Sequence, residues 1–201
     1  MDGIFVIFLA IILSAFFSGM EIAFVSSNKL RIEIDRKQGV FGSGILKIFT
    51  DNPGQYIATM LIGNNIALVI YGLFFSRMLS PLLLPVFRSD VLVLITNTVI
   101  STAIILLIAE FLPKTVFVIS PNFFLKLLSI PTLIFYYLFY PISKFTLAVS
   151  NLFIRILFGI KKNEKGQENI VFSKYDLSHL VSTSSSDLQQ PEPFHNNIRI
   201  F

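Results

Sequence analysis

The sequence contains no cysteine, which excludes a disulfide framework and any thiolate metal site. Histidine is almost as scarce: His179 and His195 both lie outside every apolar run, so a soft-metal centre is not expected and any cation handled here would meet oxygen ligands. Charge is thin as well. Only 14% of the 201 residues are charged, against 54% hydrophobic, and the mean hydropathy is +0.74, a balance that marks an integral membrane protein. The net charge of +4 is spread through loops and the C-terminal third. That distribution suits contact with membrane lipids and leaves no footprint for nucleic acid. Neither a nucleophile–base pair nor a phosphate-cradling glycine loop is present, so the reading is that the chain is not an enzyme. The N-terminal apolar run has no basic leader and no Ala-x-Ala cleavage site, and it is too long for a signal peptide, so it reads as a retained helix.

Three apolar runs follow one another along the chain. The first covers residues 3 to about 25, enough for a bilayer core that needs roughly 20 residues. Lys29, Arg31, Arg36, Lys37 and Lys47 come after it and only Asp2 before it, which places the N-terminus outside and residues 28–55 in the cytosol. In that loop the helix could run on for a turn or two, until Gly39–Gly44 breaks it. A short amphipathic piece, Ile45 to Phe49, then meets the turn signal Asp51-Asn52-Pro53-Gly54. The second span is Tyr56 to about Leu79, followed by an external loop from Ser80 to Asp90 in which Pro81 and Pro85 act as breakers. The third runs from Val91 to about Phe111, with Lys114 on the cytosolic side.

Residues 121–160 are apolar and aromatic but are cut by Pro131, Pro141, Lys126, Lys144 and Arg155. The pieces are shorter than a span, which favours helices lying in the interface, with a fourth span across 127–150 as the competing reading. The fold expected is thus all-α and integral to the membrane: three transmembrane helices, a cytosolic C-terminus and juxtamembrane interfacial helices. Residues 1–160 form the transmembrane domain. Residues 161–201 form a cytosolic linker that begins with Lys161, Lys162 and Lys165, continues with a capping box at Ser173–Asp176 and a mobile stretch from Ser182 to Pro193, and ends in mid-pattern at Phe201, as if the natural chain continued.

Each span carries polar residues that lipid would not tolerate. Ser14, Ser18 and Glu21 stand at i, i+4 and i+7, on one helical face. An ionisable group in a membrane segment costs at least ~2.5–3.5 kcal/mol, so its default reading is functional. The second span carries Gly63-Asn64-Asn65. Either asparagine could simply join helices, and Gly63 and Gly19 could mark close helix approaches. The third adds Asn97, Thr98, Ser101 and Thr102, then Glu110-Phe-Leu-Pro113-Lys114. Ser101 and Glu110 lie about 180° apart on an ideal helix, so they face one site only if the helix is distorted, and Pro113 both disturbs that turn and frees a backbone carbonyl. The plainer reading of Glu110 is an ion pair with Lys114, its i+4 neighbour. Hydroxyls, amide oxygens, carbonyls and one or two carboxylates together are the ligand set of a hard divalent cation.

Phe16-Phe-Ser18-Gly19-x-Glu21, Lys29-x-Arg31-x-Glu33, Asn52-Pro53, Leu61-Ile-Gly63-Asn64-Asn65 and Glu110-x-x-Pro113-Lys114 with Pro121 beyond it resemble the DUF21-type transmembrane domain of the CorB/CorC and cyclin M magnesium transporters. The resemblance covers about residues 3–160. It implies a homodimer of three-span protomers in the cell (inner or plasma) membrane, with an interfacial helical belt. It also implies a cytosolic CBS-pair module that binds nucleotide such as ATP, for which no sequence is present here. Magnesium (Mg2+) would be the transported ion, moved outward with sodium (Na+) as coupling ion. The site would be formed by Ser18 with Ser14 a turn earlier, Asn64 or Asn65, and Glu110, with Glu21, Gly63, Pro113 and Lys114 around it. Ala109 stands where the family often has glycine. Two other functions stay open: export of an organic cation such as a polyamine, with the carboxylates as counter-charges, and a membrane-anchored nucleotide-sensing regulator that transports nothing itself.

Overall fold

The computed structural model describes residues 2–87 and 89–158, and the expectations for residues 161–201 lie outside the described residues. The described chain is helical: α1 (Asp2–Val25), α2 (Lys29–Lys37), α3 (Ser43–Asp51), α4 (Pro53–Phe87), α5 (Asp90–Ile105), a π-helical turn (Leu106–Phe111), α6 (Leu112–Ile119), α7 (Pro121–Leu127), α8 (Ser129–Leu138) and α9 (Tyr140–Phe158). Gly3–Val25, Pro53–Phe87 and Asp90–Ile119 are each long and apolar enough to cross a membrane. The described residues are therefore all-helical, with three candidate spans, and the protein is a multi-pass membrane protein. Residues Met1–Leu152 form one compact unit, to which the following description is confined.

The breaks between elements follow local chemistry. The first helix does not run on into the following loop. It stops at Val25, and Ser27 Oγ donates to the Phe24 carbonyl at 2.7 Å while Asn28 starts a new helix by accepting from the Arg31 N–H at 3.0 Å. An asparagine carbonyl satisfies a helix N-terminus better than it continues a helix, so the cap wins. Gly39 and Gly42, with φ of 70° and 77°, turn the chain between α2 and α3 in the left-handed region that favours glycine.

The second span departs most from the sequence reading. Its helix continues through Pro81 and Pro85 to Phe87, and the next helix opens at Asp90, so most of the expected external loop from Ser80 to Asp90 is helix. Each proline removes one backbone hydrogen bond, but its fixed φ is helical. The residues between, Leu82, Leu83 and Leu84, form helix readily and offer no alternative turn.

In the C-terminal part, α7 and α8 together are apolar enough for a span but are bent by 69°. A further break falls at Phe139, so no single helix covers 127–150 as the competing fourth span would require.

The main core gathers Phe17, Met20, Ala23 and Phe24 of α1, Ile32 of α2, Leu46 and Phe49 of α3, Tyr56 and Met60 of α4, Leu125 of α7 and Tyr136 of α8. Tyr56 is its hub: the ring stacks on Phe24 at 4.3 Å and meets Phe49 at 4.8 Å, while the hydroxyl donates to the Met20 carbonyl at 3.1 Å. A smaller cluster of Ile7, Ala10, Tyr71 and Phe75 joins α1 to α4 nearer the chain's start. Lys126 of α7 pairs with Asp35 of α2 at 2.7 Å, with both side chains mostly covered. Removing one partner of such a pair strands the other's charge. Lys126→Ala is expected to loosen α2 by about 1–3 kcal/mol, between the exposed and fully buried cases. Hydrogen exchange would read this as faster exchange across α2 with α4 unchanged.

Candidate cation site

The site is built where α1 and α4 come closest. A Cβ on Gly63 would lie 2.5 Å from the Phe17 ring, and one on Gly19 would lie 2.8 Å from the Phe117 ring of α6, so each glycine lets a neighbouring side chain or helix sit against bare backbone. One residue beyond Gly63, Asn64 is buried and its side-chain carbonyl accepts from the Ser14 hydroxyl at 2.6 Å, although the two are fifty residues apart in sequence. Ser18, one turn along α1, is fully buried and its hydroxyl has no hydrogen-bond partner. Asn65 is exposed and does not join the pair.

The third span is distorted just ahead of Pro113, as that proline suggested. Leu106–Phe111 is a π-helical turn, in which the Leu112 N–H reaches back five residues to the Leu107 carbonyl. Pro113 follows immediately and has no N–H to return, so a carbonyl of this turn is left without its usual donor. Ala109 is completely buried in this turn, which packs against α1 together with α6. Glu110 is half-buried, and among the described residues its carboxylate has no hydrogen bond and no ion pair. The Glu110–Lys114 ion pair suggested by the i+4 spacing is not formed among the described residues. Lys114 and Glu110 instead both act electrostatically on Glu21 of α1, which is half-buried.

Among the described residues no group of three or more histidine, cysteine, aspartate or glutamate side chains could hold a metal ion. The structure brings Ser14 and Asn64 into direct contact and sets Glu21, Glu110 and Lys114 within one electrostatic neighbourhood. No bond joins Ser18 or Glu110 to the Ser14–Asn64 pair. Such a set, rich in neutral oxygens and poor in carboxylates, suits a hard cation that keeps part of its water.

The pairings in two polar networks lay outside the sequence reading. Gln55 of α4 donates to Ser143 Oγ at 2.6 Å and to the Tyr140 carbonyl at 3.3 Å, and Thr59 meets the same Ser143 hydroxyl at 3.1 Å, which fastens the start of α9 to α4. Asn97 of α5 reaches Ser76 and Ser80 of α4. The signal in both was a pair of polar residues four apart inside an apolar run, Gln55/Thr59 and Ser76/Ser80.

Residues 5–192 match the family model for the cyclin M transmembrane N-terminal domain. The chain is 29% identical over 184 residues to a UPF0053 protein of Mycoplasma genitalium, an alignment covering 85% of this chain and 42% of the relative. It is also 30% identical over 81 residues to the polyamine export protein of Salmonella typhimurium, covering 40% of this chain and 18% of that protein. The chain thus spans less than half the length of these relatives.

Proposed function

We propose, from the premise that this chain belongs to the family of the cyclin M transmembrane N-terminal domain, that it transports a divalent cation, magnesium, through a site between its three spans. The observation that carries this reading is the Ser18 hydroxyl, wholly buried in a membrane segment without a partner, one turn from the Ser14–Asn64 bond. An unbonded buried hydroxyl costs free energy that a ligand would recover. Ser14, Ser18 and Asn64 would supply neutral oxygens, the π turn a freed carbonyl, and Glu110 the charge. Glu21 and Lys114 would stand at the entrance, where the lysine would offset part of the carboxylates' negative charge in the ion-free state.

The remaining parts of the reading follow the same line. Movement is outward and coupled to sodium, the N-terminus faces outside, and the protein works as a homodimer in the inner or plasma membrane. The basic residues that follow α1 support the orientation. A nucleotide-binding CBS pair would belong to the whole protein. The chain does no covalent chemistry.

Flux into proteoliposomes loaded with a magnesium dye tests the assignment. Ser18→Ala and Glu110→Ala are each expected to slow magnesium movement at least tenfold, and rates equal to the parent's would overturn the site. The similarity to a polyamine export protein favours one alternative cargo, an organic diammonium ion held by the same carboxylate. A diamine that competes with magnesium and is itself carried would establish it. A purified protein that carries neither would instead be a regulator of some other complex.

A further inference from the structure

The segment between the first two spans carries surface features that the transport reading leaves unused. α2 packs on the body by one face: Ile32 lies in the main core, and Asp35 is held by Lys126. Its other face is apolar. Leu30 and Ile34, four residues apart and therefore on one strip, are 53% and 46% exposed. Val40 and Phe41 follow in the loop to α3, with Phe41 67% exposed. That loop is ordered: the Val40 N–H donates to the Asp35 carbonyl at 3.0 Å, the Val40 carbonyl accepts from Ser43 Oγ at 2.6 Å, and the left-handed Gly39 and Gly42 stand on either side. Single exposed apolar side chains are ordinary on any surface. Four of them within residues 30–41, in a segment that opens directly after a membrane span, mark an interaction site.

Charge decides what covers it. Every carboxylate of α2 and α3 is engaged: Glu33 with Arg36, Asp35 with Lys126 and Asp51 with Lys47. Arg31 and Lys37 are exposed and join no ion pair among the described residues. Arg31 adjoins Leu30 and Lys37 stands one turn after Ile34, so a cation borders the apolar strip on each side. A protein facing this surface would have to supply an apolar groove flanked by two carboxylates. An anionic bilayer face supplies both halves at once, hydrocarbon for the strip and phosphate for the cations. We infer that the outer face of α2 and the Val40–Phe41 loop dock on an anionic phospholipid surface, with Leu30, Ile34 and Phe41 at the acyl boundary and Arg31 and Lys37 on headgroup phosphates. The docking is independent of what the spans carry. It ties to the membrane the link between α1 and α4, the two helices that share the Ser14–Asn64 bond.

The sequence has no tryptophan, so a single introduced one reports alone. Phe41→Trp in the full chain, with Ile34→Trp as a second reporter should the first fail to fold, is reconstituted into phosphatidylcholine vesicles with or without added phosphatidylglycerol. Its emission is read against two quenchers, lipids brominated on the acyl chain and acrylamide in the water. With phosphatidylglycerol present the emission is expected to shift to the blue, to be quenched by the brominated chains and to lose most of its access to acrylamide. Omitting phosphatidylglycerol, or adding Arg31→Gln with Lys37→Gln, is expected to lower the docked fraction relative to the free by roughly tenfold or more, the effect of two basic residues at an anionic surface. A tryptophan open to acrylamide and out of reach of the brominated chains overturns the inference. One shielded from both quenchers overturns it too, because a second copy or another part of the chain then covers the patch. Docking indifferent both to phosphatidylglycerol and to the paired glutamine substitutions does the same. No flux is read, so the result stands whether or not the protein carries magnesium.

Discussion

Gly63→Val is expected to lower the melting temperature of the solubilised protein by several degrees. The new branched side chain would have to occupy the space of the Phe17 ring, 2.5 Å from where its Cβ would stand. That ring cannot yield, because it is held by Phe16 at 5.2 Å, Phe135 at 4.9 Å and Phe139 at 6.2 Å. Overpacking of this sort costs about 1–3 kcal/mol, and relief by separating α1 from α4 would pull Ser14 from Asn64. Magnesium binding should fall with stability. Gly72 is the control: nothing lies within 4 Å of a Cβ there, so Gly72→Ala is expected to stabilise α4 slightly, by up to about 1 kcal/mol. Equal melting shifts at the two glycines would show that the close approach carries no packing energy.

Ser14→Ala is expected to raise the half-saturating magnesium concentration at least tenfold and to destabilise the protein by about 1–3 kcal/mol. The substitution leaves the Asn64 side-chain carbonyl buried without its donor. Asn64→Leu costs less through this bond, since a helical serine can turn its hydroxyl to its own backbone four residues back. The double variant should therefore be more stable than the sum of the single losses requires, by about 0.5–3 kcal/mol of coupling. Strict additivity in melting experiments would mean that the 2.6 Å contact contributes nothing, whatever its length.

Much of this architecture was legible before any coordinates. Long apolar runs locate the three spans because lipid demands them, and Gly39, Gly42 and Asn52 mark helix boundaries for reasons of local conformation that need no tertiary contact. The distortion beside Glu110 was readable too, since a proline three residues after a membrane carboxylate leaves few regular solutions. Two features resisted. Proline reads as a breaker, yet Pro81 and Pro85 lie within a continuing helix, because whether a missing hydrogen bond ends a helix depends on what else its neighbours could do. Long-range polar partners are invisible in one sequence: nothing in Gln55 points to Ser143, eighty-eight residues away, or in Ser14 to Asn64, fifty residues away. The choice between Asn64 and Asn65 was of the same kind, turning on a helix rotation that periodicity alone leaves open.

The thirty-five residues of α4 make a rod of about 52 Å, longer than the hydrocarbon layer it would cross. Tyr56 and Met60 clamp it at one end, Tyr71 and Phe75 hold it farther along, and the bare backbone of Gly63 lies between them. Such a rod behaves as a lever whose fulcrum is the crossing with Phe17. A tilt of about 10° there would carry Ser76, thirteen residues and about 20 Å away, through about 3 Å. That displacement exceeds the tolerance of a hydrogen bond such as the one from Asn97. A tilt at the Ser14–Asn64 crossing would thus reach the Asn97 cluster through rigidity alone, with no chain of intermediate contacts needed between them.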